Sequence, residues 1–144
     1  MSKPTDDQLA ALGTQFDAFT RRYKLADAPE GAGKALNELD KQVLLFVAEH
    51  PGCGPSDVAR FLKVANTTLS SAADRLAKRG LLVRQRPEED RRAVALALSA
   101  PGMATVAQIR AFHRDFSRRI LEPLTAAERE SLIAIMAKIL SNED

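Results

Sequence analysis

Tryptophan is absent from this 144-residue chain, tyrosine and cysteine each occur once, and histidine occurs twice. Cys53 has no partner within the chain, which excludes an intramolecular disulfide and a multi-cysteine zinc site. His50 and His113 are far apart and lack clustered carboxylates, so they do not form a metal-ligand set. Neither a metal nor a cofactor is expected. No apolar run approaches the roughly 18 residues of a membrane span, and no membrane partner is expected. The opening MSKPTDDQ has no apolar core and no small-residue cleavage site, so the cytoplasm is the expected compartment. A lone thiol suits that reducing environment. Hydrolytic or transfer chemistry has no local Ser, His and Asp signature to stand on, and an enzyme is not expected. Gly33-Lys34 resembles a phosphate loop only superficially, because Ala35 stands where a hydroxyl should bind magnesium and no strand precedes it.

What the chain does contain is ordinary globular composition, 45% apolar and 28% charged, at a length suited to one domain or a small domain with extra helices. The net charge of +2 is unevenly spread. Between Gly54 and Ser99 nine Lys or Arg face five Asp or Glu, an excess of +4 that leaves −2 for the remainder. Positive charge concentrated in a third of the chain is what a polyanion-binding surface requires, although a solvated charged face has the same composition.

Helical periodicity dominates. From Thr5 to Ala26, Leu9, Leu12, Phe16, Phe19 and Tyr23 form a seam opposite Asp6, Gln8, Asp17, Arg21 and Lys24. Pro29, Gly31 and Gly33 then mark a connector over Asp27–Lys34. A second helix is predicted from about Lys34 to Glu49, with Leu36, Leu39, Val43, Leu44, Phe46 and Val47 facing a core. HPGCGP ends it, and a short third helix runs from Pro55 to Leu62, with proline at its first position and Asp57 at the positive end of its dipole. A fourth helix is predicted from Asn66 to Arg79, closed by Gly80. Its apolar positions Leu69, Ala72, Ala73 and Leu76 leave Asn66, Thr67, Ser70 and Ser71 for solvent, with Thr68 at the border. On a lone helix that face would be a solubilising surface. At helix-turn-helix spacing, the same hydrogen-bonding side chains can reach base edges.

The stretch from Leu81 to Ser99 changes period. LLVRQR alternates Leu82, Arg84 and Arg86 with Leu81, Val83 and Gln85, while AVALALS alternates Val94, Leu96 and Leu98 with alanines. Period two on both sides of a turn-rich tip predicts a β-hairpin, and a hairpin directly after a helix-turn-helix is a wing. A fifth helix begins at the Ser99 cap with the stripe Val106, Ile109, Phe112, Phe116 and Ile120, and Pro123 breaks it. Thr125 and Glu128 form a capping box for a last helix carrying Leu132, Ile135, Met136, Ile139 and Leu140. The expected fold is therefore mainly α with a small β-hairpin wing: a winged helix-turn-helix at 35–99, flanked by helical segments at 1–34 and 100–144.

DRLAKRGLLVR between recognition helix and wing, DRR at the wing tip, and the strand running into LSAPG together resemble the multiple-antibiotic-resistance regulator (MarR) family of bacterial transcription factors. With the six-helix order, the resemblance covers nearly the whole chain. It implies a homodimer whose terminal helices intertwine, agreeing with apolar stripes that a monomer would expose. Two lobes about one duplex turn apart, roughly 34–36 Å, imply a pseudo-palindromic double-stranded DNA operator. Carried over by position, Asn66, Thr67, Thr68, Ser70 and Ser71 would read bases or hold phosphates, with Arg75 further along the same helix. Arg92 matches the wing arginine that enters the minor groove, Asp90 the acid that orients it, and Arg84 and Arg86 would serve phosphates. Glu88 and Glu89 are expected to point away from the phosphates. Ala65 stands where the family commonly has a serine N-cap, and Ser71 where many members have a larger, often basic, reader.

The resemblance further implies a repressor released by a small apolar or phenolic ligand, with Phe16, Phe19, Tyr23, Phe46, His113 and Phe116 as the candidate lining. A core role accounts equally well for those aromatics. A regulator without a ligand, and a winged-helix module that binds an acidic protein, are the competing readings. One branch of the family senses peroxide through a cysteine in the first helix, whereas Cys53 lies in the loop before the third with no adjoining base to lower its pKa. It is expected to be a plain loop cysteine.

Overall fold

The computed structural model describes residues 2–25, 36–86 and 93–142. They fall into two compact units, Met1–Leu36 and Asn37–Asp144.

The first unit holds α1, Asp6–Phe19, followed by a π-helical turn over Thr20–Leu25. Its start has a capping box absent from the sequence reading: the Thr5 hydroxyl accepts from the Gln8 N–H at 3.1 Å, and the Gln8 amide oxygen accepts from the Thr5 N–H at 2.9 Å. None of the α1 residues is buried, and Leu9 and Phe16 are 58% and 64% exposed.

The second unit runs α2 (Glu38–Glu49), α3 (Pro55–Leu62), α4 (Asn66–Lys78), β1 (Leu82–Gln85), β2 (Ala95–Leu98), α5 (Ala100–Leu121) and α6 (Ala126–Ser141). Helix α2 starts at Glu38 rather than near Lys34, because Asn37 adopts an extended conformation and its side-chain oxygen accepts from the Asp40 N–H at 2.8 Å. Asp57 caps α3 by accepting from the Gly54 N–H at 3.0 Å, and Lys63, at φ +58°, turns the chain left-handed into α4. Ala65 is the N-cap of α4 and supplies no side-chain acceptor, leaving the helix start without the usual satisfied donor.

Helix α2 is the hub, packing against α3, α4, α5 and β2. Val43, Leu44 and Val47 from α2 meet Val58 and Ala59, then Leu69, Ala72, Ala73 and Leu76 from α4, Leu81, Leu82 and Leu96 from the wing base, and Val106 and Ile109 from α5. The helical members of this core are the apolar positions that a period of 3.6 puts on one face. Strands β1 and β2 are antiparallel, pairing Leu82 with Leu98 and Arg84 with Leu96. A further bridge pins the wing base to the loop after α2, with the Gly52 N–H donating to the Leu96 carbonyl and the Leu96 N–H to the Cys53 carbonyl, both at 2.8 Å. Ser99 caps α5 by accepting from the Gly102 N–H at 3.0 Å, and the Thr125–Glu128 capping box opens α6. Thr125 bonding draws the Glu128 carboxyl below its usual pKa.

Candidate nucleic-acid interface

Helix α4 carries the surface that the sequence singles out. Its buried seam of Leu69, Ala72, Ala73 and Leu76 turns Asn66, Thr67, Thr68, Ser70 and Ser71 outward, and all five are exposed along the N-terminal half of the helix. The packing that buries one face thus determines which side chains remain accessible to a partner. These are short amides and hydroxyls that both donate and accept hydrogen bonds, the chemistry required for base edges and phosphate oxygens.

The wing explains where its arginines go. Pleating places directly opposed residues on the same face, so Arg84, opposite the fully buried Leu96, shares the core side with Leu82. Its guanidinium bonds the Asp74 carboxylate of α4, which holds the Asp74 pKa below the ordinary aspartate value through that hydrogen bond and the adjacent positive charge. Arg84 therefore ties the wing to α4. Arg86 lies just beyond β1 and is exposed. Arg92 and Asp90, expected at the wing tip, lie outside the described residues, as do Glu88 and Glu89.

Arg75 does not sit with the polar N-terminal face. Its Nη2 donates to Asp40 Oδ1 at 2.8 Å and its Nε to Asp40 Oδ2 at 3.4 Å, an ion pair that raises the arginine pKa further. Sequence reasoning missed Asp40 and Asp74, since each partners a residue on another element. An acid on an otherwise apolar helix face is the one signal that could have marked Asp40.

The candidate ligand residues divide between the two units. In the first, the Phe19 and Tyr23 rings are 4.6 Å apart, and Arg22 lies over the Tyr23 ring at 5.9 Å. In the second, Phe46 stacks on His50 at 4.3 Å and meets Phe61 at 4.7 Å. Together with Cys53, Asp57 and Arg60 they line a shallow open groove between α2 and α3. His113 and Phe116 each adjoin Phe112 on α5, with centroids 6.4 and 6.3 Å from its ring. Phe61, which is 63% exposed, went unnoticed in the sequence. Burial, aided by the Asp57 charge, pushes the Cys53 thiol above its ordinary pKa. Among the described residues no three His, Cys, Asp or Glu side chains gather as a metal site, and no helix is long and apolar enough to cross a membrane.

A helix pair whose second member presents a small polar face, backed by a two-stranded wing, defines the class: a winged helix-turn-helix protein. Comparison with known proteins adds a family likeness. Residues 36–93 match the MarR family model. The chain is 34% identical to the HTH-type transcriptional regulator PecS of Dickeya dadantii over 85 residues, which is 59% of this chain and about half, 51%, of that protein. It is 26% identical to the HTH-type transcriptional regulator YwhA of Bacillus subtilis over 88% of both chains. The crystal structure of Bacillus subtilis YusO shares the fold at a TM-score of 0.74 and 21% identity, covering 98% of this chain and 100% of that one. Streptococcus pneumoniae FabT in complex with DNA shares it at 0.70 and 24% identity, covering 92% and 90%. The winged-helix segment of the chain is thus similar to the MarR family.

Proposed function

We propose that the protein is a cytoplasmic homodimeric repressor that binds a pseudo-palindromic operator and leaves it when a small apolar or phenolic ligand binds. The observation that carries the DNA-binding part is the exposed face of Asn66, Thr67, Thr68, Ser70 and Ser71, fixed on a buried seam within a locally basic segment. FabT, which shares the fold, is in complex with DNA in its structure. In this reading the α4 face enters the major groove, while Arg86 and the tip residues Arg92 and Asp90 serve the backbone and the minor groove.

Dimerisation is supported by apolar surface left without cover. Helix α6 has no buried residue; Ile135, Met136, Ile139 and Leu140 are all exposed, the last at 74%, as is Phe112 of α5. Fully burying each such side chain is worth about 1.5–3 kcal/mol, enough for a second copy to be a strong partner. Helix α1 presents Leu9, Leu12 and Phe16 in the same way. The segments 1–34 and 100–144 are accordingly proposed as dimerisation elements around the 35–99 DNA-binding domain. Ligand release would be a population shift toward a lobe spacing that no longer matches successive major grooves.

Fluorescence anisotropy on a duplex selected by the protein from a random-sequence pool tests the core of this. Affinity should fall steeply as salt rises, with a slope that counts phosphate contacts. Arg92→Ala should weaken binding and leave the dimer intact. Salt-independent binding, or no binding, refutes the DNA reading and favours a protein-interaction module. Operator binding that no apolar or phenolic compound releases refutes the ligand step alone.

A further inference from the structure

Asp40 is the one buried charged residue among those described, with 4% of its surface exposed. It lies in the first turn of α2, and its carboxylate reaches 35 positions along the chain to the two-pronged contact with Arg75 of α4. Removing a carboxylate from water is costly, and an apolar side chain of similar volume often stabilises a core at least as well. What an ion pair adds is fixed geometry, because a guanidinium fork bonds a carboxylate in few orientations. Helix α4 needs such a constraint. Two of its four seam residues are Ala72 and Ala73, whose methyl groups interlock little with α2 and resist rotation of α4 about its axis only weakly. With side chains reaching about 5–6 Å from the helix axis, a rotation of about 20° moves their tips by about 2 Å. That displacement breaks a base-edge hydrogen bond.

We propose that Asp40 is a positioning residue for DNA recognition: through Arg75 it sets the rotation of α4 and so the aim of Asn66, Thr67, Ser70 and Ser71. This rests on the DNA-binding reading above, and it assigns Arg75 the role of anchor in place of base or phosphate contact. Being buried, Asp40 acts only through its partner.

The test compares Asp40→Asn, Arg75→Lys and the double variant on two duplexes, one selected by the wild-type protein from a random pool and one scrambled to the same composition. Asp40→Asn keeps the volume and one acceptor; Arg75→Lys keeps the charge and loses the fork. Each single variant should weaken binding to the selected duplex about tenfold, the worth of one charge-assisted hydrogen bond. Affinity for the scrambled duplex and the salt slope should stay unchanged. The double variant should lose no more than either single, because the pair acts as one device. Unchanged affinity for the selected duplex overturns the proposal, as do additive losses. Equal losses on both duplexes also overturn it, since a general folding defect produces them; a shallower salt slope for an Arg75→Gln variant overturns it by revealing a direct phosphate contact. If Asp40→Asn does not fold, Arg75→Lys, at a side chain 46% exposed, carries the same comparison. Wild-type protein that binds neither duplex refutes the DNA-binding reading itself, and with it this proposal.

Discussion

Replacing Gly102 with alanine sets two effects of opposite sign against each other. Gly102 is buried in the first turn of α5, against Leu81, which follows shortly after the end of α4. A Cβ there would lie 2.1 Å from the Leu81 carbonyl oxygen and 3.0 Å from its carbon. Neither side can yield cheaply. The Leu81 carbonyl accepts from the Ser99 N–H at 3.2 Å and the Leu81 N–H donates to Leu76 at 3.0 Å, while the Ser99 hydroxyl bonds both the Gly80 carbonyl and the Gly102 N–H. Restoring an ordinary contact of 3.4 Å means opening this junction by more than 1 Å. Overpacking of that kind costs about 1–3 kcal/mol, and losing one of the junction bonds about 1 more. The better helix propensity of alanine returns about 1 kcal/mol. The expected net loss is about 1–3 kcal/mol, a fall in Tm of roughly 3–10 °C for a chain this size. Thermal unfolding followed by far-UV circular dichroism, at one fixed protein concentration because association shifts Tm, measures it. A Tm equal to or above wild type would mean that the junction between wing and α5 is not closely packed.

Ala65→Ser supplies the missing side-chain acceptor at the start of α4 and should stabilise the protein by about 1 kcal/mol in denaturant unfolding; a destabilised variant would show that the first-turn donors are already satisfied. Asp74→Asn removes the partner of Arg84. Because the folded-state pKa of Asp74 is lowered, its contribution is full above the ordinary aspartate range and is lost as pH falls below it through the folded value. The stability gap between wild type and Asp74→Asn should therefore be constant near neutrality and close on acidification; a gap that widens with acid would reverse the sign of the argument. Cys53, with its pKa raised, should react with a maleimide at neutral pH more slowly than a free cysteine. Reaction at the free rate would show the thiol to be neither shielded nor held protonated.

How far the sequence could be read depended on the distance between partners. Helices α3 to α6 and both strands lie close to where periodicity put them, because apolar spacing, Pro55, Gly80, Ser99 and the Thr125–Glu128 box act within a few residues. The start of α2 lies at Glu38 rather than near Lys34 because the chemistry of the Asn37 cap, not apolar spacing, sets it. The outward face of α4 was legible for the same local reason: seam residues and exposed polar residues alternate on one helix.

By itself, then, the sequence determined the order of elements, the buried seam of α4, the lone thiol, and the motif that resembles the MarR family. The tertiary structure decided which charges are spent inside the molecule. The fold brings Arg75 against Asp40 and Arg84 against Asp74. It also decided that Leu96 joins the wing to the loop after α2, and that Gly102 is needed where the Leu81 carbonyl passes. The physical reason is common to all of these. Periodicity and capping are short-range consequences of backbone geometry, whereas an ion pair spanning 35 positions or a backbone contact between separate elements exists only once the chain has closed on itself.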